Sequence, residues 1–230
     1  MGGGGKLVHS EDFADGLANW QSEGPYLVEV TNGRLHVKTD WGGPKVGQYV
    51  WFREDLPADF RAEYDFTPVS ESGFFLIFFC AKGVNGEDIL GEELFENYMP
   101  HGSWADYDDF DKYTGPDPSD RRNGQRINCY HISYRRNENA NCNFRKNIGK
   151  NLLVSREIDA LLPAGETAHV VLTKQAGRIR LEVGGRTFMD HTDDGALNGG
   201  VYGEGKLGLR QVYDSEGYYE NFKVHDLTGA

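Results

Sequence analysis

The 230-residue sequence has no run of eighteen apolar residues, the length that a membrane-spanning helix needs. Its first residues, MGGGGKLVHSEDF, contain no apolar segment of the kind found in signal peptides. We therefore expect no membrane partner.

Cysteine is scarce, with three residues in the chain: Cys80, Cys129 and Cys142. A small odd number argues against a disulfide framework. Cys129 and Cys142 could face each other across a hairpin, but free buried thiols are the expected state. Together with the missing leader, these thiols favour a cytoplasmic location, with secretion through a removed signal peptide as the alternative.

Several functional motifs are missing as well. The sequence has no phosphate-binding loop, dinucleotide fingerprint or nucleophile elbow, and its histidines lack the spacing of zinc ligands. The formal net charge of −12 argues against a nucleic-acid partner, because phosphate backbones attract positively charged surfaces. We expect no cofactor and no bound metal.

Helical periodicity is rare, whereas strand-like segments bounded by Gly, Asn, Asp or Pro recur along the chain. Asn32-Gly33 is typical of a two-residue hairpin turn. The continuously apolar run GFFLIFFCA at 73–81 predicts a strand covered on both faces. The predicted strands are 26–30, 34–39, 48–53, 60–67, 73–81, 126–136, 141–147, 168–175, 178–183, 186–190, 206–212 and 218–226.

This pattern predicts an all-β fold, a two-sheet antiparallel β jelly roll. A chain of this length can bury the core of a single domain. We assign residues 1–8 to a flexible N-terminal tail and residues 9–230 to one domain, with an acidic loop insertion at about 87–120. The insertion holds eleven acidic residues and one lysine, and it is too long for a plain connector, so we expect a functional loop or a lid.

Positive charge is concentrated in residues 121–150, which contain eight Arg or Lys and one acidic residue, Glu138. The segment carries +7, whereas the rest of the chain carries −19. Arg presents a planar fork that fits a carboxylate or sulfate, so such clustering in an acidic protein is typical of an anion site. The segment is therefore the predicted functional centre.

Strand alternation sorts the side chains of the predicted hairpin at 125–147. The more apolar side of its first strand, with Tyr130, Ile132 and Tyr134, should meet the core. The opposite side of both strands should form one exposed surface, consisting of His131, Ser133, Arg135, Asn143 and Arg145. An ordinary solvated hairpin face is the alternative, which the mutual repulsion of the cations disfavours.

Such a surface could support β-elimination on a uronate sugar. Arg and Asn would neutralise the carboxylate and stabilise the enolate that forms next to it. His131 or Tyr134 would take the proton and return it to the leaving oxygen. The same residues could also bind an acidic sugar without any reaction.

Acidic residues make a weaker case for hydrolysis or metal binding. Glu63 and Asp65 share one strand face, but the third acid expected of a sandwich glucanase strand is absent. The DYDDFD run at 106–111 fails the calcium-loop pattern, so a solvated loop is expected there. This loop could lie over the basic hairpin and offer Trp104 and Tyr107 as sugar-stacking faces.

Four segments carry a resemblance to a known family: GFFLIFFCAKGVNGEDI, NCYHISYRRN, NCNFRKNIGKNLL and GKLGLRQV. From about Trp20 to Asp226 the chain resembles the YesU-like proteins, domain-of-unknown-function family 1961, in the concanavalin A-like lectin/glucanase superfamily of β jelly rolls. The resemblance implies a carbohydrate-active protein, since members are associated with the breakdown of pectin-type and other acidic polysaccharides. The segment at 98–122 looks expanded relative to simpler members, which leaves substrate size and cleft closure open.

We accordingly predict action on an acidic, uronate or sulfated, oligo- or polysaccharide, by lyase-type β-elimination. The predicted catalytic residues are His131, Tyr134 and Arg145. The predicted substrate-binding residues, most of them motif matches to the family, are Ser133, Arg135, Asn143, Lys146, Glu87, Asp88, Trp104, Arg210 and Gln211. The alternatives are a non-catalytic sugar-binding module and a glycoside hydrolase that uses Glu63, Asp65, Glu87 or Asp88.

Overall fold

The computed structural model describes residues 5–40, 47–71, 73–91, 127–135, 140–147, 151–158 and 162–229. These residues form two antiparallel β-sheets. Sheet A consists, in spatial order, of β13 (Arg186–Thr192), β12 (Arg178–Val183), β11 (Ala168–Gln175), β6 (Phe60–Pro68), β15 (Glu216–Asp226), β4 (Arg34–Lys38) and β3 (Leu27–Thr31), and β1 (Lys6–Glu11) also pairs with β15. Sheet B consists of β10 (Asn151–Glu157), β9 (Asn141–Asn147), β8 (Ile127–Arg135), β7 (Phe74–Gly83), β14 (Lys206–Val212), β5 (Gln48–Phe52) and β2 (Trp20–Glu23).

The main hydrophobic core lies between the two sheets. On β6, alternate residues such as Tyr64 and Phe66 are buried in this core, whereas Glu63 and Asp65, which alternate with them, are partly exposed. This alternation follows from the two-residue side-chain period of a strand. The predicted two-sheet all-β sandwich is therefore confirmed.

Strand β7 is covered on both faces, as its continuous apolar run predicts. Phe75, Ile77 and Phe79 belong to the core between the sheets, whereas Leu76 and Phe78 belong to a second cluster on the other face of sheet B. Burial of each such side chain contributes roughly 1.5–3 kcal/mol to folding. Sheet B thus has an apolar layer on the side that faces away from the sandwich core.

The predicted turn at Asn32-Gly33 is present, whereas three of the observed strands were not predicted. Asn32 and Gly33 both have positive φ, 52° and 70°, and join β3 to β4 as the hairpin signal indicates. Three strands lack a clear alternating pattern and were not predicted: β1, β2 and β10. Strand β1 includes residues of the predicted N-terminal tail, because Lys6 and Leu7 pair with Asp226 and His225 on β15.

All three cysteines are free and buried, as expected. Cys142 belongs to the core between the sheets, whereas Cys129 belongs to the cluster on the opposite face of sheet B, so a disulfide between them is geometrically excluded. Burial raises the pKa of each thiol to about 12. None of the described segments forms a helix long and apolar enough to cross a membrane.

Candidate functional site

Two rows of side chains cross the face of sheet B that points away from the core, which we call the outer face. Strand register places the members of each row directly side by side. The first row is Arg145, His131, Phe78, Gly208, Trp51 and Gln21. The second row is Asn143, Ser133, Leu76, Arg210, Tyr49 and Glu23.

Aromatic rings fill the middle of the outer face. The rings of Tyr49 and Trp51 stack with their centroids 5.5 Å apart, and Phe78 packs edge-on against Trp51 at 6.0 Å. Gly208 leaves the space for this packing, because a Cβ at that position would lie 2.5 Å from the Trp51 ring. The side chains in the middle of the outer face are therefore closely packed against one another.

His131 lies in this layer. Its ring stacks on Phe78 with centroids 5.0 Å apart, and Arg145 is its register partner on β9. Cross-strand partners of this kind have Cβ atoms about 5 Å apart, so the imidazole and the Arg145 side chain are neighbours. The predicted sharing of one face by these two residues agrees with the structure.

The prediction that this whole surface is exposed is wrong for His131 and Ser133. His131 is only 1 % exposed and Ser133 is buried as well, because the aromatic layer continues beside them. Asn143 and Arg145 on β9 are half-buried. The outer face is therefore accessible along β9 and the edge strand β10 and becomes buried towards the middle of the sheet.

The opposite end of the outer face holds a buried acid and a buried cation. Trp51 Nε1 donates a hydrogen bond of 3.1 Å to Glu23 Oε2, and the Arg210 guanidinium lies 4.8 Å from the Tyr49 ring centroid. Burial raises the pKa of Glu23 to about 8, against the opposing effects of the Trp51 hydrogen bond and the Arg210 charge. Burial thus favours the protonated form of the Glu23 carboxyl group.

Three predicted site residues point to the other side of sheet B. Tyr134 belongs to the core between the sheets, where its ring packs against Phe75 at 5.9 Å. Gln211 is buried on the same side, within hydrogen-bonding distance of the Tyr219 hydroxyl. Neither side chain can join His131 on the outer face, because the sheet lies between them.

Lys146 is the third residue of this kind. Its fully buried ammonium donates to Asp193 Oδ2 at 2.7 Å and to the backbone carbonyls of Leu197 and Gly200, each at 2.6 Å. Lys146 thus fixes the 193–200 loop through three acceptors. Since all three contacts are within the protein, its observed role is structural.

Glu87 and Asp88 lie in the segment after β7. Glu87 accepts hydrogen bonds from the backbone N–H and the side-chain amide of Asn85, each at 2.9 Å, and Asp88 pairs with Lys206 at 3.2 Å. A cleft of about 300 Å³ lies beside this segment, lined by residues that include Lys82, Val84, Asn128, Val201, Tyr202 and Glu204. Neither acid belongs to the two rows of the outer face.

Glu63 and Asp65, the carboxylates of the hydrolase alternative, lie on the outer face of sheet A. Asp65 is paired with His169 Nδ1 at 2.8 Å and accepts a hydrogen bond from Asn221 at 2.8 Å. The whole sandwich separates this polar patch from His131. The two sets of predicted residues therefore cannot act on one bond.

Other predicted residues lie outside the described part of the chain. They are Trp104, Tyr107, the DYDDFD run and most of the acidic insertion, together with the side chain of Arg135, whose backbone pairs with Phe74. Within the described residues, no group of three or more His, Cys, Asp or Glu is arranged to hold a metal ion.

The family described as Domain of unknown function (DUF1961) matches residues 6–224, which include every described strand except the last two residues of β15. The chain belongs to this family. A relative named "Uncharacterized protein YesU", from Bacillus subtilis (strain 168), is 26 % identical over 220 residues, which cover 92 % of this chain and 91 % of the relative.

Solved structures share the fold of this chain. A protein from Bacillus subtilis described as having a galectin-like fold is 24 % identical, with a TM-score of 0.79 and 98 % of each chain covered. The carbohydrate binding module CBM66 from Bacillus subtilis is 14 % identical, with a TM-score of 0.55, covering 91 % of this chain and 97 % of the module. At these identities the likeness concerns the fold.

Glu23, Tyr49 and Trp51 of this family member are residues of the outer face that the sequence patterns do not predict as site residues. Glu23 lies on the short edge strand β2, which carries no alternating signal, and a single acid in WQSE gives no motif. The 48–53 strand was predicted, but its outward residues became notable only when register placed them beside Arg210. Long-range strand order, which determines these neighbours, is not encoded in local pattern.

Proposed function

We propose that the protein binds an acidic saccharide on the outer face of sheet B and cleaves it by β-elimination. The observation that carries this proposal is the register of β8 and β9, which pairs His131 with Arg145 and Ser133 with Asn143 on one face. A base, a cation and two hydrogen-bonding groups are thereby neighbours. This is the set that proton abstraction next to a carboxylate requires.

In the proposed reaction, Arg145 binds the carboxylate of a uronate unit. The neutral imidazole of His131 removes the proton from the carbon next to that carboxylate, and Arg145 and Asn143 stabilise the enolate charge. The electron pair then forms a carbon–carbon double bond as the bond to the leaving oxygen breaks. The imidazolium returns its proton to that oxygen, so Tyr134 has no part in the step.

Access to His131 follows the gradient of burial across the face. A saccharide meets the half-buried Asn143 and Arg145 on β9 first. His131 is only 1 % exposed in this structure. The saccharide therefore contacts the imidazole only in a conformation in which His131 is more exposed. The proposal therefore includes a local opening of the outer face during turnover.

Two further observations support a saccharide as the ligand. The fold resembles that of a carbohydrate binding module. The outer face also combines aromatic rings with a few polar groups, a composition common in small-molecule sites. Ser133 and Arg210 are polar side chains buried in an apolar layer, and such burial lowers the stability of the fold. Their presence there therefore favours a functional role.

The test is a screen with polygalacturonate, alginate, hyaluronan and chondroitin sulfate, read by the near-ultraviolet absorbance of the unsaturated product. We expect His131→Ala to lower turnover by about 10²–10⁴-fold, as loss of a general base does, while affinity is largely kept. His169→Ala, on the outer face of sheet A, is the matched control and should keep the wild-type rate. Wild-type turnover in His131→Ala would remove His131 from the mechanism.

A non-catalytic sugar-binding module is the second candidate function. The burial of His131 favours it, because a fully covered imidazole cannot exchange protons with a ligand without the opening described above. The same screen separates the two candidates. Binding without unsaturated product and without new reducing ends identifies a binding module, whereas reducing ends alone indicate hydrolysis.

A further inference from the structure

The far end of the outer face carries a carboxyl group that the elimination chemistry does not use. Glu23 on β2 is 5 % exposed, and only its Oε2 atom has a described partner, the indole N–H of Trp51. Among the described residues, Glu23 Oε1 is buried without a hydrogen-bond partner. An unsatisfied buried oxygen costs about 1–3 kcal/mol, which a bound ligand could recover.

Arg210 and Tyr49 complete this end of the face. Tyr49 is the register partner of both Glu23 and Arg210, and the Arg210 guanidinium lies over the Tyr49 ring. Tyr49 on β5, which pairs with β2, and Arg210 on β14, the next strand, are the titratable or charged side chains in the same row as Glu23. Lys206, also on β14, is paired with Asp55 and Asp88 instead. The group therefore combines an acid, a cation and aromatic rings in one place.

The two ends of the outer face are far apart. Strands β2 and β9 are separated by five strand spacings, and at about 4.8 Å per spacing this corresponds to about 24 Å. A ligand that contacts both Arg145 and Glu23 is therefore an oligosaccharide of several units. A disaccharide at Arg145 cannot reach Glu23.

We propose that, when the outer face opens to admit the saccharide, the Glu23 carboxyl group beside Arg210 donates a hydrogen bond to a ring or glycosidic oxygen, which carries no proton of its own, at the opposite end of the face from Arg145. This inference rests on the proposed function, because it extends the same binding face. The raised pKa of Glu23, about 8, agrees with it, since only the protonated carboxyl group can donate. Above that pH the carboxylate repels the acceptor oxygen.

Calorimetric titration with the di- and hexasaccharides of galacturonic acid and of chondroitin sulfate tests the inference. At pH 6.5 we expect the wild-type protein to bind a hexasaccharide about tenfold more tightly than its disaccharide, and to lose this advantage at pH 9. Glu23→Gln should keep the advantage at both pH values, because the amide donates at either. Glu23→Ala should lose it at both.

The control is Glu166→Gln, a change of an exposed acid in a turn outside both sheets, which should behave as the wild type. Equal affinities of the wild type for di- and hexasaccharide, or an advantage that Glu23→Ala retains, would overturn this inference and leave the proposed function standing. The isosteric Glu23→Gln variant decides the question if Glu23→Ala does not fold. No binding of any of the four saccharides would overturn both proposals.

Discussion

At the scale of single residues, buried charges distinguish the two sides of sheet B. On the core side, the Lys146 ammonium is held by a carboxylate and two carbonyls, as a structural cation would be. On the outer side, Arg210 and Glu23 are buried among aromatic rings. The first set is satisfied within the protein, whereas Glu23 Oε1 has no partner among the described residues, which is why we assign structure to one and binding to the other.

Replacing Lys146 by Met should destabilise the protein strongly. The variant leaves the Asp193 carboxylate buried without its cation, a loss that typically costs 3–5 kcal/mol, on the order of 4 kcal/mol here. Urea unfolding measures it as a lower midpoint. Lys223→Met, at an exposed position on β15, should stay within about 0.5 kcal/mol of the wild type, and a similarly small effect of Lys146→Met would contradict the structural role.

Glu23 should make the free energy of unfolding depend on pH. Its pKa is about 8 in the folded protein and near 4.5 in the unfolded chain, so the unfolded state releases the proton first. The contribution of Glu23 to the free energy of unfolding is fully present below about pH 4.5. It is lost as the pH rises to about 8, by at most about 1.4 kcal/mol per pH unit.

Denaturant unfolding of the wild type and Glu23→Gln, compared between pH 4.5 and pH 9, measures this contribution. Because other groups titrate in both proteins, the difference between the two unfolding free energies isolates Glu23. The difference should shift in favour of Glu23→Gln as the pH rises. A pH-independent difference would mean that Glu23 is ionised in the folded protein at neutral pH.

At the scale of elements, the packing of the outer face depends on β14 presenting no side chain at position 208, between Phe78 on β7 and Trp51 on β5. Gly208 provides this gap, and Trp51 fills it. Gly208→Ala should therefore destabilise the protein by about 1–3 kcal/mol through overpacking against the fully buried Trp51 ring.

Thermal unfolding of Gly208→Ala checks this prediction, with Gly203→Ala as the control. A Cβ at position 203 would meet its nearest atom at 3.9 Å, an ordinary contact, so the control should unfold close to the wild type. Equal melting temperatures for the two variants would show that Trp51 has room to move.

The local periodicity of the strands determines which parts of the site the sequence could predict. The alternation in QRINCYHISYRR and NCNFRKN correctly assigns Tyr130 and Phe144 to the core side and His131 to the other side, because the period of a strand is local. The burial of His131 was not predictable in this way, because it depends on Phe78 on the neighbouring strand. Lys146 breaks the expectation that a charged residue faces water, since its acceptors come from residues about 50 positions later.

At the scale of the whole molecule, the two outer faces of the sandwich differ in chemistry. The outer face of sheet A carries ion pairs such as Asp65 with His169 and Arg178 with Asp190, which are satisfied and largely exposed. The outer face of sheet B carries stacked aromatic rings with embedded polar groups. Strand and turn signals were sufficient to predict the sandwich, and four sequence segments carried the family resemblance. The contrast between the faces required the strand order.

The most direct test of the saccharide-binding face is a crystal structure of the His131→Ala variant with hexagalacturonate bound. We expect a sugar carboxylate within hydrogen-bonding distance of the Arg145 guanidinium, with the chain of sugars running across β8 and β7 towards Arg210. A saccharide bound in the cleft beside Lys82 and Glu204, or on the outer face of sheet A around Asp65, would contradict it.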